Sequence, residues 1–169
     1  MKTPRNMNRR TFLRTSGALA AGTLIAPNLA FGARVAHNEK VRIAIIGNGG
    51  MGRAHAYSLA YNDNCTIVAL CDVYQKRYNE VADNVAKITG TRPDTYQDFH
   101  RVLERQDIDA VWVVTPDHWH PLLTIMACQA GKDVYVEKPV CTTIAEGRAM
   151  VDAARRYGRV VQVGTQHRS

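Results

Sequence analysis

Three glycines and one carboxylate have the residue types and the spacing to hold a nucleotide. Gly47, Gly49 and Gly52 form a G-x-G-x-x-G pattern directly after the apolar run Val41 to Ile46. Asp72 lies twenty residues after the last of these glycines, at the end of a second apolar run. This layout is typical of a turn that approaches a pyrophosphate closely, with a carboxylate that accepts hydrogen bonds from ribose hydroxyls. The remaining residues of this predicted phosphate-binding turn are Asn48, Gly50 and Met51.

The carboxylate also bears on which dinucleotide would bind. A negative charge beside the ribose 2′ position repels the additional phosphate of NADP, so Asp72 favours NAD. Lys76 and Arg77 oppose this choice slightly, because a nearby cation can accommodate a phosphate, although cations at an exposed helix start are usually solvated. The alternative to a cofactor site is a tight turn between strand and helix that binds nothing.

Polar residues also follow two later apolar runs. The segment Thr115 to His120 follows the run Ala110 to Val114, and Glu137-Lys138-Pro139 ends the run that starts at Asp133. In a parallel sheet the carboxyl ends of the strands share one edge, so these groups are predicted to meet the glycine turn there.

The elements that must position these residues alternate between strands and helices. The predicted strands are Val41 to Ile46, Thr66 to Cys71, Thr95 to Tyr96, Ala110 to Val114, Asp133 to Glu137 and Val160 to Val163. After the helix that follows the glycine turn, the predicted helices are Gln75 to Thr89, Asp98 to Arg105, Pro121 to Ala130 and Thr143 to Tyr157. This alternation predicts an α/β fold, a doubly wound parallel sheet of about six strands with helices on both faces (a Rossmann fold).

The positive charge of the chain is concentrated near its start. The 169 residues carry a formal charge of +7, but residues 1–33 hold five Lys and Arg and no acid, which leaves +2 for the rest. A nearly balanced domain without a basic run gives no electrostatic reason to propose a nucleic acid partner.

The basic segment at the start of the chain is better explained as an export signal. Asn8-Arg-Arg-Thr-Phe-Leu-Arg14 precedes a stretch of small residues, Gly17 to Ala33, and the whole resembles a twin-arginine signal. A membrane anchor is the alternative, but a proline, an asparagine and three glycines make this stretch a poor span. We therefore predict a signal segment over residues 1–33, a nucleotide-binding domain over 34–169, and a periplasmic protein whose partners include the twin-arginine machinery. The cleavage site stays open.

The strand-end motifs carry a family resemblance. With Glu137-Lys138-Pro139 after the fifth strand and Thr115 to His120 after the fourth, residues 41–169 resemble the glucose-fructose oxidoreductase / inositol dehydrogenase family (Gfo/Idh/MocA). The resemblance implies NAD(P)-dependent hydride transfer between nicotinamide and a sugar, polyol or related hydroxyl compound. It implies that Lys138 is catalytic, contacting the nicotinamide ribose and a substrate hydroxyl, and that Glu137 holds the ribose or orients the lysine. By the same likeness, three residues of the loop lie along the cofactor, namely Thr115, Pro116 and His120.

Some residues depart from the pattern or invite other chemistry. Asp117 stands where many family members carry Asn, which puts its hydrogen-bonding role in doubt. His118 and His120 are two residues apart in a predicted loop without an evident further ligand, so no metal site is predicted. His55, inside the first helix, is interpreted as a helix-face residue or a cofactor neighbour. The cysteines are interpreted as small buried hydrophobes, because none is spaced as C-x-x-C: Cys65, Cys71, Cys128 and Cys141.

The family's second domain, which forms the sugar pocket and commonly a protein interface, is not represented in these residues. His167 and Arg168 are candidates for the entry to such a pocket, and homo-oligomerisation through that domain is left open. We expect the chain to be either the first part of a longer protein or a separate NAD-binding half. Two other functions remain as alternatives: NAD-dependent glycoside hydrolysis through transient oxidation, and a non-catalytic dinucleotide-binding subunit.

Overall fold

Strands and helices alternate along residues 40–165, the part of the chain that this computed structural model describes. The strands are β1 (Val41–Ile46), β2 (Cys65–Cys71), β3 (Asp94–Tyr96), β4 (Ala110–Val113), β5 (Asp133–Glu137) and β6 (Val161–Gly164). The helices are α1 (Gly50–Ala60), α2 (Gln75–Thr89), α3 (Phe99–Leu103), α4 (His120–Gln129) and α5 (Ile144–Tyr157). A short 3₁₀ helix, Asp117–Trp119, precedes α4.

The six strands form one sheet in the order β3-β2-β1-β4-β5-β6, and every neighbouring pair is parallel. The chain therefore winds outward from β1 in one direction and then returns to wind outward from β4 in the other. This order confirms the predicted doubly wound Rossmann fold, in which ligands bind where the winding direction reverses, between β1 and β4.

The core lies on both faces of the sheet because successive side chains of a strand point to opposite sides. In β1, Ile43 and Ile45 pack into one apolar cluster with residues of α1 and α2, while Ala44 and Ile46 pack into a second with residues of α3, α4 and α5. Burying one such aliphatic side chain contributes roughly 1.5–3 kcal/mol. The two clusters hold helices on both faces, as predicted.

Helix boundaries follow the local signals read from the sequence. Helix α2 covers Gln75–Thr89 and ends at Gly90, whose φ of 77° is left-handed. Thr143 and Glu146 make both hydrogen bonds of a capping box at the start of α5. The last strand starts at Val161, one residue later than predicted, and the Val160 amide instead donates to the Asp133 carboxylate (2.9 Å).

Three of the four cysteines are buried, and all four are free thiols. Burial, and after it the charge of Asp72, raises the pKa of the Cys71 thiol to about 12. A thiol in that environment is unreactive, in keeping with the predicted role as a small hydrophobe.

Between residues 40 and 165, no helix has both the length and the apolar character needed to cross a bilayer.

Candidate cofactor site and active site

The strand register brings the predicted site residues to one edge of the sheet. Ile46 pairs with Cys71 on one side and with Val113 on the other, and Val113 pairs with Val136. The residues that follow these positions are therefore neighbours in space although they are far apart in the chain. They are Gly47 after β1, Asp72 after β2, Val114 after β4 and Glu137 at the end of β5.

A cavity of about 500 Å³ opens along this edge. Its lining includes nine residues predicted from the sequence: Gly47, Gly49, Gly50, Met51, Asp72, Thr115, Pro116, Glu137 and Lys138. Asn48, Gly52 and His120, also predicted, are not part of its lining. Four other lining residues were not predicted as site candidates: Val73, Gln97 and Phe99, which belong to no motif, and Trp119, which lies within the segment Thr115 to His120.

The glycines of the turn divide into two kinds. Gly47 has a φ of +95°, and a Cβ there would lie 2.4 Å from the Val114 carbonyl oxygen. A Cβ on Gly52 would lie 1.8 Å from the Gly47 carbonyl oxygen. The fold therefore requires glycine at both positions, because a side chain at either would clash with the backbone. A Cβ on Gly49 or Gly50 would meet no atom within 4 Å. This open space lies at the amino end of α1, where backbone N–H groups favour a phosphate, so the turn fits a dinucleotide.

Asp72 is 7% exposed and is held by the backbone. Its Oδ2 accepts from the Asn48 N–H (2.7 Å), and its Oδ1 accepts from the Tyr74 N–H (2.9 Å). A carboxylate offers about four lone-pair sites, so acceptor capacity remains for ribose hydroxyls. The Asn48 side chain is not part of the cavity lining, and its Nδ2 donates to the Cys71 carbonyl (2.7 Å).

The loop after β4 forms a further wall. Thr115 lines the cavity, and its buried Oγ1 has no hydrogen-bond partner among residues 40–165. Such an orphaned hydroxyl in a cavity wall fits a polar ligand, because unpaired buried polar groups are costly. Trp119 meets Phe99 edge to face, with ring centroids 6.4 Å apart, and the two rings give the wall an apolar part.

His120 joins this loop to the turn after β5. The residue is 1% exposed, with Nδ1 2.7 Å from the Pro139 carbonyl oxygen and Nε2 2.8 Å from that of Thr115. A neutral imidazole donates through one nitrogen only, whereas the doubly protonated ring donates to both carbonyls. The geometry makes His120 a brace between the two loops, and its direct contact with a cofactor stays a prediction.

Glu137 and Lys138 close the cavity at the end of β5. Glu137 is 4% exposed, and its Oε2 accepts from the Lys138 N–H (3.1 Å). Its Oε1 lies 2.7 Å from His55 Nε2, a contact that nothing in the sequence predicted. The Lys138 side chain is exposed and lines the cavity, and the Lys138–Pro139 peptide bond is cis.

Asp117 and His118, for which no site role was predicted, are not part of the cavity lining. His118 is exposed beside Asp117, with Nδ1 3.7 Å from Oδ1. Residues 40–165 contain no group of three or more His, Cys, Asp or Glu side chains that could hold a metal ion. His167 and Arg168 lie outside the described residues.

A doubly wound sheet with an open glycine turn, a buried carboxylate and a lysine in the wall of one cavity is typical of an NAD-binding oxidoreductase domain. Comparison with known families agrees. Residues 41–165 match the oxidoreductase family with an NAD-binding Rossmann fold (GFO_IDH_MocA), and the chain belongs to this family. Residues 6–26 match the signal sequence of the twin-arginine translocation pathway, which directs export to the periplasm.

Individual relatives are similar over most of the chain. A glycosyl hydrolase family 109 protein 1 from Shewanella sp. (strain ANA-3) is 30% identical over 89% of this chain. An alpha-N-acetylgalactosaminidase from Shewanella oneidensis is 28% identical over 89% of it. Among solved structures, myo-inositol 2-dehydrogenase from Lactobacillus plantarum superposes with a TM-score of 0.70 and 27% identity over 77% of this chain. The matches span 38% of the length of each of these three proteins.

Proposed function

We propose that the domain binds NAD along the cavity and serves hydride transfer at a hydroxyl-bearing carbon of a sugar, polyol or related compound. The observation that carries the proposal is that Asp72 and Lys138 line the same cavity. Gly49 and Gly50 line it too, and the space next to these two glycines is open. A dinucleotide with its adenosine ribose on Asp72 and its pyrophosphate on the turn would direct its nicotinamide toward Lys138.

Each residue then has a chemical task. Bound nicotinamide supplies a site that accepts or gives a hydride at C4. Lys138 exchanges a proton with the oxygen of the substrate carbon, since an amine in reach of a hydroxyl can act as general acid or base. Glu137 fixes the start of the turn that carries Lys138, and Thr115 offers its hydroxyl to the cofactor.

The role of Lys138 is tested by comparing turnover with cofactor binding in the native protein. NADH formation is followed by absorbance with NAD and a panel of sugars and polyols that includes myo-inositol. We expect Lys138→Met to lower turnover by about 100-fold or more, while the Kd for NADH changes less than about tenfold. Lys87→Met, on the exposed face of α2, is the matched control and should match the wild type. Turnover within tenfold of the wild type in Lys138→Met would contradict the assignment.

A second candidate is glycoside hydrolysis through transient oxidation of the sugar. The names of the two Shewanella relatives favour it, as a glycosyl hydrolase and an alpha-N-acetylgalactosaminidase. Here the hydride returns to the substrate, so a chromogenic α-N-acetylgalactosaminide would be cleaved with no net change in NAD. Net NADH formation with a free sugar would instead identify the oxidoreductase.

A non-catalytic dinucleotide-binding subunit gives a third pattern. It would bind NADH and leave it unchanged with every sugar, and Lys138→Ala would have no effect in the producing cells. The same panel of assays therefore separates all three functions.

A further inference from the structure

We infer that His55 is a positioning residue for the nicotinamide end of the site, because its imidazole holds the Glu137 carboxylate and, through it, the turn that carries Lys138. The inference rests on the proposed function and adds a residue to it. His55 lies in α1, 82 positions before Glu137, and its Nε2 is 2.7 Å from Glu137 Oε1.

Burial makes this contact a strong constraint. The Glu137 side chain is 5% exposed and that of His55 is 18% exposed. With Glu137 ionised, its carboxylate only accepts hydrogen bonds, and the proton of this bond then lies on Nε2. Hydrogen bonds between partners of which one is charged are short and about twice as strong as neutral ones, and poor access to water strengthens them further.

The surrounding rings fix the orientation of the imidazole. His55 meets the ring of Tyr135 edge to face at 5.4 Å, and Tyr135 stacks on Trp112 at 5.1 Å with 15° between the planes. A Cβ on Gly164 would lie 2.2 Å from the Tyr135 hydroxyl oxygen, so β6 closes on the same ring. Strands β4, β5 and β6 thus hold Tyr135, against which His55 packs.

The contact links the two ends of the predicted cofactor site. Helix α1 begins at the glycine turn and contains His55, whose imidazole contacts the Glu137 carboxylate. Glu137 Oε2 in turn accepts from the Lys138 N–H (3.1 Å). The Tyr135 hydroxyl also donates to Glu137 Oε1, at the longer distance of 3.4 Å. Loss of the imidazole N–H would remove the shorter of these two bonds and loosen the start of the Lys138 turn, while leaving the phosphate-binding turn in place.

The test compares two ligands of the native protein, NADH and ADP-ribose, because ADP-ribose has no nicotinamide. We expect His55→Phe, which keeps a ring against Tyr135 but has no N–H, to weaken NADH binding about tenfold. ADP-ribose affinity should change less than about twofold, because its contacts are at the other end. His55→Gln restores a side-chain N–H donor and should recover most of the NADH affinity. Affinities are measured by calorimetric titration.

The matched control is a second histidine–carboxylate contact of the same length. His100 Nδ1 lies 2.7 Å from Asp98 Oδ1, but the His100 side chain is 54% exposed. His100→Phe should leave the ratio of the two affinities unchanged. If His55→Phe does not fold, as judged by circular dichroism, His55→Leu gives the same comparison.

The outcomes separate the inference from the function on which it rests. A selective loss of NADH affinity in His55→Phe, with recovery in His55→Gln, supports the role of His55. Equal affinities to the wild type, or an equal loss for both ligands, overturn that role while the proposed function stands. A wild-type protein that binds neither ligand overturns the proposed function and, with it, the inference.

Discussion

Asp72 holds the backbone of the glycine turn and also faces the cavity. Its two oxygens accept from the amides of Asn48 and Tyr74, and the same carboxylate is part of the cavity wall. Removing the side chain therefore affects any ligand that uses the turn. We expect its charge and its contact with the ribose hydroxyls to favour NAD over NADP.

The selectivity of Asp72 is expressed as a ratio of affinities. We expect Asp72→Ala to weaken NAD binding more than NADP binding, because repulsion of the 2′-phosphate is lost together with the ribose contact. A change of about tenfold in the ratio corresponds to about 1.4 kcal/mol. Calorimetric titration with both dinucleotides measures it, and Asp83→Ala on the exposed face of α2 is the control. Equal loss for both would contradict the assignment.

The sequence predicted the roles of residues that belong to a local motif. It did not predict roles that depend on contacts between residues far apart in the chain. The glycines and Asp72 follow from one pattern of spacing, and they line or support the cavity. The bond between His55 and Glu137 joins residues 82 positions apart, through the packing of α1 against the end of β5. No spacing rule covers such a pair, and from the sequence His55 is interpreted as either a helix-face residue or a cofactor neighbour.

Elements with strong local signals formed where they were predicted. Strand β5 has the predicted bounds, Asp133–Glu137, because its apolar run ends in charged residues. The helix expected over Asp98 to Arg105 is confined to Phe99–Leu103, and Asp98 caps it by accepting from the His100 N–H. A side chain that bonds the first turn fixes a helix start, whereas periodicity alone leaves it uncertain by a residue or more.

The turn between β1 and α1 allows the fold and the ligand site to be tested separately. Gly52→Ala would place a Cβ 1.8 Å from the Gly47 carbonyl oxygen, so we expect a loss of several kcal/mol in the free energy of unfolding. Gly49→Ala meets no atom within 4 Å and should change that free energy by less than about 0.5 kcal/mol. Its methyl group would enter the space for the pyrophosphate and weaken NADH binding.

Urea unfolding and NADH titration of both variants check this division. The reverse pattern, a destabilised Gly49→Ala or a stable Gly52→Ala that binds NADH normally, would contradict the assignment of the two glycines.

Across the whole domain, stabilising charges and the cavity lie at opposite edges of the sheet. Arg105 donates to Asp94 and to Asp107 at 2.7 Å each, and Arg42 at the start of β1 also pairs with Asp107. These residues lie near the amino ends of the strands, away from the glycine turn. Hydrogen bonds from Arg105, and then from Arg42, hold the pKa of Asp107 well below its usual range.

The lowered pKa makes this contribution to stability depend on pH. It is complete at pH 7 and is lost as the pH falls below about 3.8, the unperturbed pKa, through the folded-state pKa. We expect Asp107→Asn to lower the free energy of unfolding by about 1 kcal/mol at pH 7, and by less at pH 3. Urea unfolding at both pH values measures the difference, with exposed Asp63→Asn as the control. The NADH affinity of Asp107→Asn should be unchanged. An equal loss of unfolding free energy at both pH values would contradict the expected pH dependence.

We propose that one cavity holds NAD with its adenosine ribose on Asp72 and its nicotinamide beside Lys138. A crystal structure of the native protein grown with NADH tests this claim most directly. We expect ribose hydroxyls at hydrogen-bonding distance, about 2.6–3.2 Å, from the Asp72 carboxylate and the nicotinamide ring against Lys138. NADH bound outside this cavity, or bound in it with the nicotinamide ring at Asp72, would contradict it.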